Sequence, residues 1–322
     1  MIQVGIIGGA GYTAGELIRI LIHHPEAKIK FVHSTSNAGN SVASVHSGLI
    51  GETDLIFTEN LSLGSIDVLF LCSAHGDSKK FLDKNQVPNS LKIIDLSTDY
   101  RHIRPDHDFV YGLPELNREV IRKAIHVANP GCFATAIQLA LLPLASKGLL
   151  CDDIHVNAIT GSTGAGVKPS ATSHFSWRNN NISIYKPFEH QHLQEIGQSV
   201  HQLQSGFDKN INFIPVRGNF TRGIFATAYT KCSLVLDEAN ALFQKFYRDA
   251  AFTFVTEKNP DMKQVVNTNK AILYLEKHDK YLLVVSMIDN LLKGASGQAV
   301  QNMNIMFGFD EKSGLNLKSI GF

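Results

Sequence analysis

"IQVGIIGGAGYTAGELIRIL", residues 2–21, is the stretch that decides the fold. Its first six residues are mostly apolar and rich in β-branched side chains, the composition of a buried strand. Glycines 8, 11 and 15 follow, and the chain then reads as an amphipathic helix from about residue 14 to 24. Strand, glycine turn and helix open a βαβ unit. In such a unit Gly8 and Gly11 permit the tight turn and let backbone approach a pyrophosphate at the helix N-terminus. The competing reading is a plain strand-to-helix turn, because a glycine triplet alone is weak evidence.

The surrounding segments support the βαβ reading. KIKFVHST (28–35) reads as a second strand, and DVLFLCSA (67–74) and LKIIDLS (91–97) as further buried strands separated by a helical stretch. That alternation predicts a parallel sheet with crossover helices. Beyond residue 130 the pattern changes. FATAYTKCSLVL (225–236) and AILYLEKHDKYLLVVSM (271–287) are long and alternating, as in antiparallel pairs. SGQAVQNMNIMFG (296–308) is helical again and is expected to return to the first domain. The 322 residues exceed one ordinary core. The fold class expected is α/β. A Rossmann-type dinucleotide-binding domain takes residues 1–130 plus about 295–322. An α+β catalytic and oligomerisation domain, with a mostly antiparallel sheet, takes 131–294.

The end of the second strand addresses cofactor choice. An NAD site places Asp or Glu there for the ribose 2′-hydroxyl. This chain has Ser34, Thr35, Ser36 and Asn37, which suits a 2′-phosphate and hence NADP. Residues 33–50 carry no Arg or Lys to add charge to that site.

A net charge of +1 without a basic block argues against nucleic acid or an anionic membrane as partner. No apolar run approaches the roughly 20 residues of a membrane span, and the start lacks the pattern of a signal peptide. Cys72, Cys132, Cys151 and Cys232 lie far apart, without CxxC or Cys/His metal spacing. No metal site is expected, and a reducing cytoplasm fits best.

VANPGCFAT (127–135) places one of those cysteines directly after Asn-Pro-Gly and before CFATAIQLALLPL, which keeps apolar residues on one helical face until Pro143. Cys132 is thus expected at a helix N-terminus, where unpaired N–H groups and the helix dipole favour a thiolate nucleophile. The alternative is a buried cysteine acting as a small hydrophobe. A nucleophile needs an acid/base partner, and KPFEHQHLQEI (186–196) offers His190 and His192. On a helix, residues two apart point about 200° apart, so only one of them would face Cys132. TGSTGAGVKPSATSH (160–174), with Ser162 and Lys168, reads either as an anion-holding loop or as a flexible linker. DLSTDYR (95–101) would put Ser97 and Arg101 at the ligand-binding edge of the sheet. Arg217 and Arg222, in and beside GNFTRG, are candidates for a carboxylate or phosphate.

These segments, taken in order, resemble the N-acetyl-γ-glutamyl-phosphate reductases, which belong with the aspartate-semialdehyde dehydrogenases. The matching stretches include GGAGYTAGEL (8–17), STSNAG (34–39), IDLSTDYR (94–101), YGLPELNR (111–118), NPGCFAT (129–135), TGSTGAGVKPS (160–170), HQH with Glu195, TRGI (221–224) and KGASGQAVQNMN (293–304). The resemblance implies NADPH-dependent reduction of an acyl phosphate to an aldehyde, the third step of arginine synthesis, through a cysteine thioester. It implies a cytoplasmic homo-oligomer, dimer or tetramer, that takes a small acyl phosphate and releases inorganic phosphate. It assigns Cys132 as nucleophile and His190 as acid/base, with His192 and Glu195 in support. Gly8, Gly11, Ser34 and Ser36 fall on cofactor positions, and Gln298 and Asn302 on polar positions near the nicotinamide. Arg101, Ser162 and Lys168 are expected to hold phosphate, and Arg222 the α-carboxylate. Ala14, Phe133 and Asn40 depart from the family pattern, where glycine, tyrosine and lysine are usual. The nearest rival is an aspartate-semialdehyde dehydrogenase. Rivals of other classes are an NADP-binding redox sensor and a cysteine acyltransferase or hydrolase.

Overall fold

A computed structural model describes residues 1–321. The chain divides into two compact units: Met1–Pro130 with Ala295–Asn316, and Gly131–Gly294 with a short stretch from Leu317. That stretch was expected in the first domain. It joins the second instead, where Asn267 Nδ2 donates to the Lys318 carbonyl at 3.0 Å.

In the first unit, strands β1 (Ile2–Ile7), β2 (Ala27–His33), β3 (Phe57–Thr58), β4 (Val68–Leu71), β5 (Lys92–Asp95), β6 (Val110–Tyr111) and β7 (His126–Ala128) form one sheet. Its order is β3-β2-β1-β4-β5-β7-β6, and every pairing is parallel. The order reverses direction at β1, so the turn that follows β1 sits at a topological switch point, where such sheets bind ligands. Leu69, Leu71, Leu91 and Ile93 pack with Ile7 and Phe31 in its core. The first helix is Tyr12–Leu21. It starts two residues earlier than expected, directly after Gly11, which is extended with φ −81° and ψ 162° and sets the boundary. It stops short of residue 24 because Pro25 disfavours helical backbone before it.

The second unit holds β8 (Ile154–Thr160), β9 (Ser183–Ile184), β10 (Ile211–Arg217), β11 (Ile224–Lys231), β12 (Thr253–Thr256), β13 (Ala271–His278) and β14 (Tyr281–Ile288). Their order is β12-β13-β14-β11-β8-β10-β9. The sheet is mixed: β8 runs parallel to β10 and β12 to β13, and the other neighbours are antiparallel. The expected strand 225–236 ends at Lys231. Leu236 instead begins a helix, whose first turn carries Asp237 and Glu238, favourable charges at a helix N-terminus.

The Cys132–Ala145 helix passes through Pro143 rather than stopping there. A proline inside a helix leaves the carbonyl four residues earlier without its donor. Here that carbonyl belongs to Leu139, and the Tyr247 hydroxyl donates to it at 2.6 Å. Phe133 to Ala145 are all buried, so this helix is apolar all round and not on one face as expected. No helix of the described residues is long and apolar enough to cross a membrane.

Candidate active site

The glycine turn of the first unit is shaped by close approaches. Gly8 has φ +76°, and a Cβ there would lie 2.6 Å from the Cys72 carbonyl oxygen. Only glycine fits. The Gly9 N–H donates to the His33 carbonyl at 2.9 Å, tying the turn to the end of β2. His46 Nε2 donates to the Gly9 carbonyl at 2.7 Å, and the His46 ring fills the space that a side chain at Gly15 would need. Nothing in the sequence around His46 signals this role. The helix that starts at Tyr12 has no side-chain cap and no acidic residue in its first turn. Its first N–H groups therefore fit a pyrophosphate. After β2, Asn37 Nδ2 donates to Ser34 Oγ at 3.3 Å and to Ser36 Oγ at 3.0 Å, which groups these hydroxyls in one turn.

The Gly297–Phe307 helix carries Gln298 and Asn302, both fully buried. Asn302 Nδ2 donates to the Gly112 carbonyl at 2.8 Å and to Asn129 Oδ1 at 3.0 Å. Asn129 Nδ2 donates in turn to the Ala295 carbonyl at 3.0 Å. Arg101, buried, donates through Nε to the Asn129 carbonyl at 2.8 Å and through Nη2 to the Leu96 carbonyl at 2.9 Å. Arg101 and Asn302 thus brace the turn that leads into the cysteine segment.

In the second unit Cys132 is the first residue of its helix and is half-buried. Both of its chain neighbours touch the histidines. A Cβ on Gly131 would lie 2.3 Å from His192 Nε2, and the Phe133 ring meets the His190 ring edge-on at 5.5 Å. Gly294 presses from another side: a Cβ there would come 2.7 Å from Cys132 Cβ. Gly294 lies in a π-helical turn, Leu292–Ser296, a distortion found frequently at functional sites. The other thiols differ: Cys72 is buried and pushed up to about 12 by that burial, Cys232 is buried, and Cys151 is exposed.

The expectation that only one histidine could face Cys132 assumed a helix through both. The helix begins at His192, so His190 precedes it and the 200° argument does not apply. Both are buried, with ring centroids 4.6 Å apart. Burial first, then the Lys186 charge, takes the His190 pKa down to about 4, while Glu195 opposes the shift. The ring is therefore neutral at pH 7. His190 Nδ1 accepts from the His192 N–H at 3.2 Å, which places the proton on Nε2. Glu195, 1 % exposed, accepts from the Gly131 N–H at 2.9 Å through Oε2 and lies 3.8 Å from His192 Nε2 through Oε1.

The 160–174 segment is ordered at its start and is no flexible linker there. The Ser162 and Thr163 N–H groups donate to the Phe220 and Thr221 carbonyls at 2.8 and 3.1 Å, and those of Gly164 and Gly166 close on the loop itself. These donors are committed, so an anion-holding row of N–H groups does not form. The Ser162 side chain is half-exposed and Lys168 is exposed. Arg222 meets Asp289, which has no exposed surface, through two contacts of 3.1 Å. Asp289 also receives the N–H groups of Asn267 and Leu291, both at 2.8 Å. Arg222 therefore braces the chain after β14 and is not left open for a substrate carboxylate. Asp289 lies in no motif read from the sequence; its only signal is a carboxylate at the end of an apolar strand.

Comparison with known proteins places the chain in a family. Residues 3–124 match the family model described as semialdehyde dehydrogenase, NAD binding domain, and residues 132–290 match semialdehyde dehydrogenase, dimerisation domain. The N-acetyl-γ-glutamyl-phosphate reductase of Parabacteroides distasonis is 65 % identical over 322 residues, the whole of both chains. That of Flavobacterium johnsoniae is 57 % identical over 326 aligned residues, again covering all of both chains. Among solved structures, aspartate semialdehyde dehydrogenase II of Vibrio cholerae, complexed with ASA, superposes with a TM-score of 0.74 over 96 % of this chain and 98 % of that one, at 14 % identity. The aspartate semialdehyde dehydrogenase of Candida albicans with NADP gives 0.70 over 95 % and 98 %, also at 14 % identity. Both structures share the fold.

Proposed function

The chain belongs to the N-acetyl-γ-glutamyl-phosphate reductases of the semialdehyde dehydrogenase family, and from that premise we propose how its own residues carry the NADPH-dependent reduction of N-acetyl-γ-glutamyl phosphate to N-acetylglutamate 5-semialdehyde, a step of arginine synthesis. The observation that carries the proposal is Cys132 as first residue of a buried helix, with His192 against Gly131 and His190 against Phe133.

The helix N-terminus favours the Cys132 thiolate. Its sulfur attacks the γ-carbonyl carbon, the bond from that carbon to the phosphate oxygen breaks, and inorganic phosphate leaves with the bonding pair. A thioester on Cys132 remains. NADPH, when bound at the glycine turn and the Ser34–Ser36 hydroxyls, supplies the hydride that reduces it. The resulting tetrahedral oxyanion lies next to first-turn N–H groups, and removing one such donor costs about 3 kcal/mol of barrier. The neutral His190 ring points its Nε2–H at that oxyanion and holds it by a hydrogen bond until the aldehyde forms and Cys132 leaves as thiolate. The proton that the overall reaction consumes departs on the phosphate. Glu195 positions both His192 and the Gly131 backbone. The side chains of Ser162 and Lys168, not the committed backbone donors of their loop, receive the departing phosphate. Covalent catalysis splits one difficult displacement into two easier steps.

The same reading makes the chain a cytoplasmic homo-oligomer, dimer or tetramer, assembled through its second unit. The family description of residues 132–290 as a dimerisation domain supports self-association through this unit, as does the exposed Tyr229–Tyr281 pair on adjoining strands β11 and β14. The test is phosphate-dependent reduction of NADP by the semialdehyde with Cys132→Ser protein. Turnover near the unsubstituted level rules out the thioester. Comparing His190→Asn with His192→Asn assigns the proton: loss in only the second variant overturns the choice of His190.

A further inference from the structure

We propose that Arg217 anchors the substrate's carboxylate in the Cys132 site. This inference rests on the reading of that site as the acyl-phosphate pocket. A small anionic substrate needs a cation with at least one donor not already taken. Arg222 is bound on two contacts to buried Asp289. Arg178, buried, donates to the carbonyls of Thr172, Asn181 and Arg217 and to the Ser183 hydroxyl. Both of these cations are structural.

Arg217, the last residue of β10, is different. Its guanidinium lies over the Tyr185 ring at 4.5 Å. The Tyr185 ring meets His190 edge-on at 5.8 Å and sits 6.5 Å from Phe133, the residue after Cys132. Arg217 Nε is shielded from solvent and has no hydrogen-bond partner among the described residues. No carboxylate among those residues forms an ion pair with it. A shielded guanidinium donor without an acceptor is costly, and an arriving carboxylate supplies one in the bidentate geometry that arginine favours. Two features hold the fork in place: stacking on Tyr185, and the Arg178 Nη1 donation to the Arg217 carbonyl at 2.8 Å. The charge is also felt in the site. Arg217 is among the groups that lower the His190 pKa, and through its charge and a hydrogen bond to the hydroxyl it opposes the rise of Tyr185, which leaves Nε as the donor without an acceptor.

The substrate also carries a phosphate, so the experiment must separate the two anions. In the reverse direction the aldehyde brings the carboxylate and phosphate is a separate reactant. Arg217→Met should raise KM for the aldehyde about 10- to 100-fold, the range expected for a charged hydrogen bond, and leave KM for phosphate within about twofold. The unsubstituted protein should prefer the aldehyde to its carboxamide analogue, and Arg217→Met should erase that preference. Arg217→Lys should keep part of it. An unchanged aldehyde KM, or a rise confined to phosphate, overturns the proposal. Calorimetric binding of N-acetylglutamate to Cys132→Ser protein gives a reading without turnover. Affinity there should fall at least about tenfold with Arg217→Met, and equal affinity overturns the proposal. If the unsubstituted protein does not turn over the aldehyde, the reductase reading fails, while the calorimetric comparison still decides the role of Arg217.

Discussion

Glu195 Oε2 accepts a hydrogen bond at 2.9 Å from the backbone N–H of Gly131, 64 residues earlier in the chain. This contact fixes the residue before the nucleophile from a helix that also carries His192. The carboxylate has almost no exposed surface, so its two oxygens are set by the protein and not by water. Removing them leaves the Gly131 donor without its acceptor. Glu195→Ala should therefore cost about 1–3 kcal/mol in unfolding free energy and lower kcat more than it raises KM. Glu195→Gln keeps an acceptor and should recover most of the stability. Denaturant melts with steady-state kinetics check both; an alanine variant with unchanged kcat would disconnect Glu195 from the site.

Gly294 gives a steric prediction. A Cβ there would sit 2.7 Å from Cys132 Cβ, so Gly294→Ala must displace the nucleophile or its own turn. Overpacking of this kind costs typically about 1–3 kcal/mol. A nucleophile misplaced by about 1 Å loses about 10²-fold in rate. Iodoacetamide labelling read by peptide mass spectrometry should show altered Cys132 reactivity, with exposed Cys151 as internal reference. Full kcat in this variant would refute the contact.

The pH dependence follows from His190. Its folded pKa of about 4 lies below the ordinary 6.5, so the unfolded chain binds more protons between those values. The His190 contribution to stability is then fully present above pH 6.5 and is lost as the pH falls toward 4. Replacing His190 with Asn should flatten the decline of melting temperature across that window. Parallel slopes in the two proteins would argue against a neutral buried ring.

Tyr247 tests the proline inside the helix. Tyr247→Phe leaves the Leu139 carbonyl without the donor that stands in for the missing Pro143 N–H. The expected loss is about 1–3 kcal/mol, with kcat and both KM values unchanged at temperatures well below melting. If unfolding free energy does not move, the hydroxyl contributes nothing to the helix.

Gly8 tests the cofactor turn. Gly8→Ala would force φ +76° on a residue with a Cβ and drive that carbon against the Cys72 carbonyl. NADPH affinity by fluorescence titration should fall at least about tenfold. Reactivity of Cys132 toward iodoacetamide should remain. Unchanged affinity would place the pyrophosphate elsewhere.

Local pattern made much of this readable. IQVGII followed by the glycine turn, and NPGC followed by an apolar run, depend on backbone preference and apolar spacing over ten or so neighbouring residues. Such short-range rules also located the last helix and the 271–287 hairpin. They misjudged the reach of the Cys132 helix, because its tolerance for Pro143 depends on Tyr247, 108 residues from Leu139. They treated His190 and His192 as alternatives, because spacing alone cannot tell where the helix begins.

From the chain of residues alone came the parallel sheet with its glycine turn, the cysteine at a helix start and the family it resembles, since each is a matter of neighbours in sequence. Only the folded chain decided which charges have partners: Arg222 is bound to Asp289 and Arg101 to the carbonyls of Leu96 and Asn129, while Arg217 Nε is shielded without an acceptor. The reason is that an arginine side chain is long and its partners come from distant strands and turns, so the commitment of its donors is set by packing in three dimensions and leaves no periodic mark in the sequence.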